Sequence, residues 1–279
     1  MLNAIAQYQF MQNACVACLL SSVICGIIGV IIIEKKLVMM SGGIAHTVYG
    51  GVGLGYLLGF EPMIGALAFS AASALGIGYV NRKGKVRSDV VIGLLWSFGM
   101  ACGIFFIGMM KGYPPDISSY LFGSILAVTR TDIYVMLILS AAIVFVIATL
   151  FAHWKSYLFD EEFAFVTGIN TAFLDYLLLI LIAMTVVVLI RVAGIILAIA
   201  MLTAPAATAS LFTSKLKNRI WLSILFGLFY AFFGLWLSYN LRIASGATIV
   251  FASVIIYFVL FAVRALLYRK KRKTAVREG

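Results

Sequence analysis

His46 is one of two histidines in the chain, and it lies in an apolar segment rich in glycine, "SGGIAHTVYGGVGLGYLLG" at residues 41–59. Imidazole is a common ligand of divalent metals. Burying an ionisable group in apolar surroundings costs free energy, so such a group is a candidate for a functional role. The residues at helical spacing from His46 are mostly glycine: Met39, Gly42, Gly43, Tyr49, Gly50 and Gly53. This pattern predicts open volume beside a metal ligand, or alternatively a tightly packed helix whose histidine is hydrogen-bonded.

Two further groups could contribute to cation chemistry. Asp175 and Arg191 bracket an apolar stretch and stand sixteen residues apart, about 24 Å along a helix. Asp175 either reaches water or faces inward as a second cation-attracting group. Pro205, in "AIAMLTAPAATAS", frees the carbonyl of Met201, and the hydroxyl of Thr203 lies nearby. Such a position is either a simple kink or a broken helix that lines an ion pathway.

The elements that position these residues are membrane helices. The chain has 279 residues, of which 64% are hydrophobic and only 11% charged, whereas soluble domains carry about 25% charged residues. Apolar windows of about twenty residues predict an all-α polytopic membrane protein of eight to nine spans, and residues 117–128 are too short to cross. The predicted spans are 11–33, 37–59, 63–80, 90–110, 132–152, 172–190, 195–213, 220–239 and 247–268.

The basic residues predict an orientation. Seventeen lysines and arginines fall on one side of these spans and four on the other, and the richer side, with the basic tail 269–279, is expected in the cytoplasm. With nine spans the N-terminus is then outside, and a merger of two spans into one broken helix would weaken this inference. The whole chain, 1–279, is predicted to be one transmembrane domain.

The longest predicted cytoplasmic connection is "HWKSYLFDEEFAFVTGIN", residues 153–170. Asp160, Glu161 and Glu162 precede apolar residues, and Gly168 offers a helix stop. The segment is either a solvated loop or a short helix whose apolar face docks into a groove of a partner. The chain has no G-x-x-x-x-G-K-[ST] loop, so we expect any energy source to be a partner protein or an ion gradient.

Five stretches, in order along nearly the whole chain, resemble the zinc/manganese/iron-type permease family of ATP-binding-cassette metal importers. They are "SDVVIGLLWSFGMACGIFF", "SSYLFGSILAV", "LFDEEFAFVTGIN", "RVAGIILAIAMLTAPAATA" and "GLWLSYNLRIASGATIVFAS". The resemblance implies a type II importer-like permease in the cell membrane that pairs with a second copy, a cytoplasmic ATPase and an extracytoplasmic metal-binding protein. It also implies that the ATPase docks on the coupling residues: Phe159, Asp160, Glu161, Glu162 and Gly168.

The resemblance further implies a metal pathway along the second span. There the family has a Gly-Asp-Ala-hydrophobic-Ser-His pattern, and residues 41–46 match it with His46 kept but Gly42 at the aspartate position. The proline that usually follows four residues later is Gly50. Loss of a carboxylate that Mn²⁺ favours favours zinc over manganese as the transported metal. No tightly bound cofactor is expected.

The sequence is also compatible with other functions. Permeases for iron chelates or cobalamin share the general architecture, although they generally have longer chains. A gradient-driven transporter or channel usually has more intramembrane acids than this chain, where Asp175 is the convincing one. A purely structural membrane subunit is a further alternative. An enzyme is least favoured, because the sequence offers no acid–base pair or activated nucleophile.

Overall fold

A computed structural model describes residues 7–84, 87–110 and 123–275, with side chains through residue 267. Helices account for nearly all of it, with one 3₁₀ turn at Ile125–Ala127. The helices are α1 Gln9–Glu34, α2 Val38–Leu58, α3 Pro62–Lys83, α4 Ser88–Gly108, α5 Arg130–Thr149, α6 Phe151–Phe159, α7 Glu161–Val166, α8 Thr171–Phe212, α9 Leu216–Leu241 and α10 Ser245–Ala275.

Seven of these helices within the described ranges are long and apolar enough to cross a membrane. They are α1, α3, α4, α5, α8, α9 and α10. The glycine-rich α2 is not among them, yet it has 21 residues, about 31 Å of helix, and is almost entirely buried between α3 and α4. Its passage through the bundle therefore depends on shielding by its neighbours.

The chain reverses direction inside α8, at Gly194. This residue has φ 79° and ψ 166° and interrupts a helix of 42 residues, a backbone conformation that glycine adopts without steric cost. Before the turn, Asp175 contacts Arg82. After it, Arg219 pairs with Glu34, whose neighbour Lys35 reaches the same end of the bundle through Glu161. A straight helix of this length would instead separate its ends by about 60 Å.

Two sets of contacts define the ends of the bundle. The Asp175 end comprises Asp175 with Arg82 and Tyr157, and the Arg191 end comprises Arg191 with Glu61 and Asp132. Since each long helix connects one end to the other and α8 does so twice, the described residues make nine passes. The predicted spans 172–190 and 195–213 thus agree with the structure, and α1 and α10 begin at the same end.

Three details differ from the expectations. The interruption of α8 lies at Gly194 and not at Pro205, where φ and ψ stay helical and most neighbouring residues of the helix are buried. Of the predicted interfacial stretch 117–128, residues 117–122 lie outside the described residues, and the remainder forms the 3₁₀ turn against α1. The last helix extends to Ala275, well into the basic tail.

Candidate metal pathway and coupling segment

Glycines allow α2 to pack closely against α3 and α4. Gly51 and Gly65 approach so closely that a Cβ on either would overlap the backbone of the other. On the other side, a Cβ on Gly43 would lie 2.6 Å from Ile92, and one on Gly53 would lie 2.8 Å from the carbonyl oxygen of Gly103. The glycines of α2 therefore fix its position and its register with α3 and α4.

The imidazole of His46 stacks on the indole of Trp96. Their ring centroids are 4.2 Å apart and the planes differ by 10°. His46 is the eighth residue after Val38, and Trp96 stands eight residues after Ser88, so both lie about 12 Å from the Asp175 end. The stack fixes the plane of the imidazole near the middle of the bundle.

The Nδ1 atom of His46 is buried and has no hydrogen-bond partner among the described residues. Buried polar atoms are normally satisfied, so an orphaned one calls for a specific explanation, such as an ion. An imidazole nitrogen without a proton is a ligand for divalent metals. The described residues contain no cluster of three or more His, Cys, Asp or Glu side chains able to hold a metal, so the donor set is sparse.

The expectation of open volume beside His46 is wrong for most of the glycines. Gly43 contacts Ile92, and a Cβ on Gly50 would lie 2.7 Å from the ring of Phe69. Gly42 differs from them, because a Cβ there would meet only the Trp96 ring, at 4.0 Å. The space that the sequence pattern predicted is thus occupied by neighbouring helices and by the indole, except at the position of the missing carboxylate.

The other predicted pathway residues have separate surroundings. Met39 is exposed at the beginning of α2. The hydroxyl of Thr203 donates to the carbonyl of Ile199 over 2.8 Å, so it is engaged within its own helix. Asp175 lies at the end of the bundle, where it accepts a hydrogen bond from Tyr157 at 3.1 Å. The structure does not bring these three residues together with His46, and their role in transport stays a prediction.

Asp175 belongs to a polar network at its end of the bundle. Arg82 lies 3.5 Å from its carboxylate, while Lys35 sits 3.7 Å above the ring of Tyr157 and pairs with Glu161 at 2.7 Å. Burial raises the pKa of Tyr157, and the charge of Asp175 adds to this effect, so the phenol remains a hydrogen-bond donor. The network connects α1, α3 and α8 with the short helices α6 and α7.

The segment from Phe159 to Gly168 contains the short helix α7, Glu161–Val166, which is one of the two alternatives that the sequence left open. The carboxylate of Asp160 caps α7 by accepting a hydrogen bond from the amide of Phe163 at 3.0 Å. Acidic residues in the first turn stabilise the helix through its dipole. Gly168, with φ 86°, ends the turn. Apolar side chains on both sides of the acids are exposed: Phe159 before them, and Phe163, Phe165 and Val166 after them. Such a surface on a short rigid helix is typical of a docking site.

Sequence reasoning missed three residues of this arrangement. Trp96 lies in a stretch used for the family resemblance, but its contact with His46 follows from the register of α2 and α4. Tyr157 and Arg82 come from distant segments, and only the antiparallel packing of α3 against the first half of α8 brings Arg82 to Asp175. No spacing in the sequence signals these three contacts.

These features describe a polytopic membrane protein with nine passes, a half-buried imidazole in mid-bundle and an exposed helix at one end. The model of the family described as "ABC 3 transport family" matches residues 7–264. The chain belongs to this family of ATP-binding-cassette metal transport permeases, and it is the membrane subunit rather than the catalytic one.

Similar proteins cover nearly the whole chain. It is 37% identical to the manganese transport system membrane protein MntC of Listeria monocytogenes, over 98% of each chain. It is 33% identical to the manganese import system permease protein ScaB of Streptococcus gordonii, again over 98% of each. Among solved structures, PsaBC from Streptococcus pneumoniae in complex with Fab matches 93% of this chain and 94% of that chain, with 34% identity and a TM-score of 0.83. The expected preference for zinc finds no support in these names.

Proposed function

We propose that this chain is the permease subunit of a manganese importer. Two relatives named for manganese transport align with nearly its full length at 37% and 33% identity, and this observation carries the proposal. The cargo is a divalent cation that passes through the bundle, so the chain needs transient ligands rather than a tight resident site. A sparse donor set around His46 suits such passage.

The pathway runs along α2 at the level of His46. Its orphaned Nδ1 is the donor, and the stack on Trp96 holds the ring so that little rotamer freedom is lost when a cation arrives. Water or a second copy of the chain supplies the remaining ligands. A cation with one imidazole ligand is held weakly enough to leave again.

The α7 segment transmits the conformational change of a cytoplasmic ATPase to the permease. Its exposed apolar residues enter a groove of the ATPase, and the pairs Lys35–Glu161 and Tyr157–Asp175 relay its displacement to α1 and α8. This assignment places the Asp175 end in the cytoplasm, which agrees with the excess of lysine and arginine there. The N-terminus is then outside, where a metal-binding protein delivers the cation to a permease dimer.

Vesicle transport tests this proposal directly. Purified permease and ATPase are reconstituted together, and manganese entry is followed with and without ATP. We expect uptake that requires both ATP and the ATPase. Uptake driven by an ion gradient without the ATPase would show a secondary transporter instead. Uptake only of an intact chelate would show that the cargo is a metal chelate and not the free cation.

Docking on α7 has its own test. Phe163→Asp places a charge on the exposed apolar face and should abolish copurification of the ATPase. Tyr239→Asp is the matched control, since Tyr239 is also exposed but lies at the Arg191 end. Equal loss of the ATPase in both variants would contradict the assignment of α7.

Zinc is the second candidate cargo, and Gly42 is the observation that favours it. Without a carboxylate one turn from His46, the site lacks the oxygen ligand that manganese prefers, while imidazole suits zinc. Competition between the two metals in the same vesicles decides between them. Inhibition of manganese uptake by equimolar zinc, together with direct zinc entry, would favour the second candidate.

A further inference from the structure

A groove of about 540 Å³ opens at the Asp175 end, between α6 and the connection from α8 to α9. It lies where passes through the bundle finish, because α5 ends at Thr149 and α9 begins at Leu216. In the proposed membrane setting, this is the level of the lipid headgroups. The groove is separate from His46. It adjoins the coupling segment, with which it shares Phe159, but Phe163, Phe165 and Val166 do not line it.

Three lysines surround the groove, and none of them is neutralised. Lys155, Lys215 and Lys217 are exposed and have no ion-pair partner in the part of the chain that the structure describes. The acidic residue among the described lining residues is Glu34, and its carboxylate is already paired with Arg219. The groove therefore presents about three uncompensated positive charges.

The floor of the groove is apolar. Phe151, Leu158 and Leu216 line it and are partly buried. In addition, α9 begins beside the lysines without an acidic residue in its first turn and without a capping side chain, so the partial positive charge of its N-terminus is added to theirs. A concave surface with a basic rim and an apolar floor fits an amphipathic anion.

We propose that this groove binds the headgroup of an anionic phospholipid from the surrounding bilayer. The phosphate would lie among Lys155, Lys215 and Lys217, and the glycerol end of the acyl chains would lie over Phe151 and Leu158. A bilayer lipid fits better than a soluble anion, because the floor leads to the exposed apolar faces of α5 and α9. Basic pockets between helices at this level of a membrane are suited to such headgroups.

Native mass spectrometry of the full chain, released from nanodiscs of mixed phosphatidylglycerol and phosphatidylcholine, tests the proposal. The test variant is Lys155→Gln/Lys215→Gln/Lys217→Gln. The matched control, Lys36→Gln/Lys83→Gln/Arg264→Gln, removes the same charge from basic residues outside the groove. A third variant with arginine at the three groove positions keeps the charge and reports on folding. Both lipids reach both ends of the protein, so the result does not depend on its orientation.

We expect wild type, the control and the arginine variant to retain phosphatidylglycerol in preference to phosphatidylcholine. The glutamine variant should bind it about a hundred-fold more weakly, because each lysine beside an anionic headgroup contributes roughly a fivefold factor. Equally weakened phosphatidylglycerol binding in the control would show that only the total positive charge matters, and it would overturn the proposal. Unchanged retention of phosphatidylglycerol in the glutamine variant would also overturn it.

Discussion

The imidazole of His46 lies flat against the indole of Trp96, with 4.2 Å between ring centroids. The two residues come from α2 and α4, which run side by side from the same end of the bundle. The contact holds the imidazole in a fixed plane at mid-depth, and its Nδ1 has no hydrogen-bond partner in the described structure. The first two predictions concern this pair.

Replacing His46 by alanine should reduce metal uptake at least tenfold at unchanged protein abundance, because the proposed pathway loses its nitrogen donor. His153→Ala is the control, since the second histidine is exposed on α6. The measurement is initial uptake rate in cells, normalised to permease in the membrane fraction. Wild-type uptake by the His46 variant would show that His46 does not contribute to the metal pathway.

Replacing Trp96 by leucine should raise the metal concentration for half-maximal uptake about two- to tenfold, because aromatic contacts of this kind contribute about 0.5–1.5 kcal/mol. Trp96→Phe keeps an aromatic face and should stay close to wild type. Uptake measured over a range of metal concentrations separates this effect from a lower maximal rate. An equal fall in maximal rate in both variants, with no change in the half-maximal concentration, would show a merely structural role.

Gly42→Asp should shift selectivity toward manganese relative to zinc, because it places an oxygen ligand one turn from His46. A Cβ at this position has room, since it meets only the Trp96 ring, at 4.0 Å. Gly42→Asn has the same shape without the charge and should change selectivity less. The measurement is the ratio of manganese to zinc uptake. An identical ratio in wild type and both variants would show that residue 42 does not determine which metal is transported.

Asp175→Asn should lower the melting temperature by about 2–4 °C, the effect of losing roughly 1 kcal/mol from the pair with Arg82. It should leave the ratio of manganese to zinc uptake unchanged. Tyr157→Phe removes the hydrogen bond to the same carboxylate and should act in the same direction. A changed metal ratio in Asp175→Asn would instead support the role in the pathway that the sequence alone suggested.

Gly51→Ala should destabilise the bundle by about 1–3 kcal/mol, the usual cost of overpacking, because its Cβ would overlap the backbone of Gly65. Gly76→Ala is the control, since no atom lies within 4 Å of its added Cβ. That change should be neutral or stabilising, as alanine favours a helix more than glycine does. Thermal unfolding in detergent gives both values, and similar melting temperatures for the two variants would contradict the close approach.

Local signals predicted much of this fold. Apolar windows located the passes, including the reversal between residues 190 and 195, because Arg191 and Gly194 interrupt the run there. The three acids before apolar residues and Gly168 indicated the short helix α7 as one alternative, beside a solvated loop. These features depend on neighbours along the chain, so a single sequence contains them.

The surroundings of the candidate site could not be predicted in the same way. Whether Gly42, Gly43 and Gly50 leave a cavity or admit a helix depends on which residues the neighbouring helices present, such as Ile92 and Phe69. The contacts Trp96–His46 and Arg82–Asp175 likewise depend on the register between helices. That register results from packing over the whole bundle, and no short motif encodes it.

In the proposed function, manganese enters through a pathway at His46. The most direct test is element-resolved mass spectrometry of metal content in metal-limited cells that lack the permease, carry the wild type, or carry His46→Ala. We expect a selective loss of cell manganese without the permease, restored by the wild type and not by the variant at equal abundance. Restoration by His46→Ala, or unchanged manganese in cells that lack the permease, would contradict it.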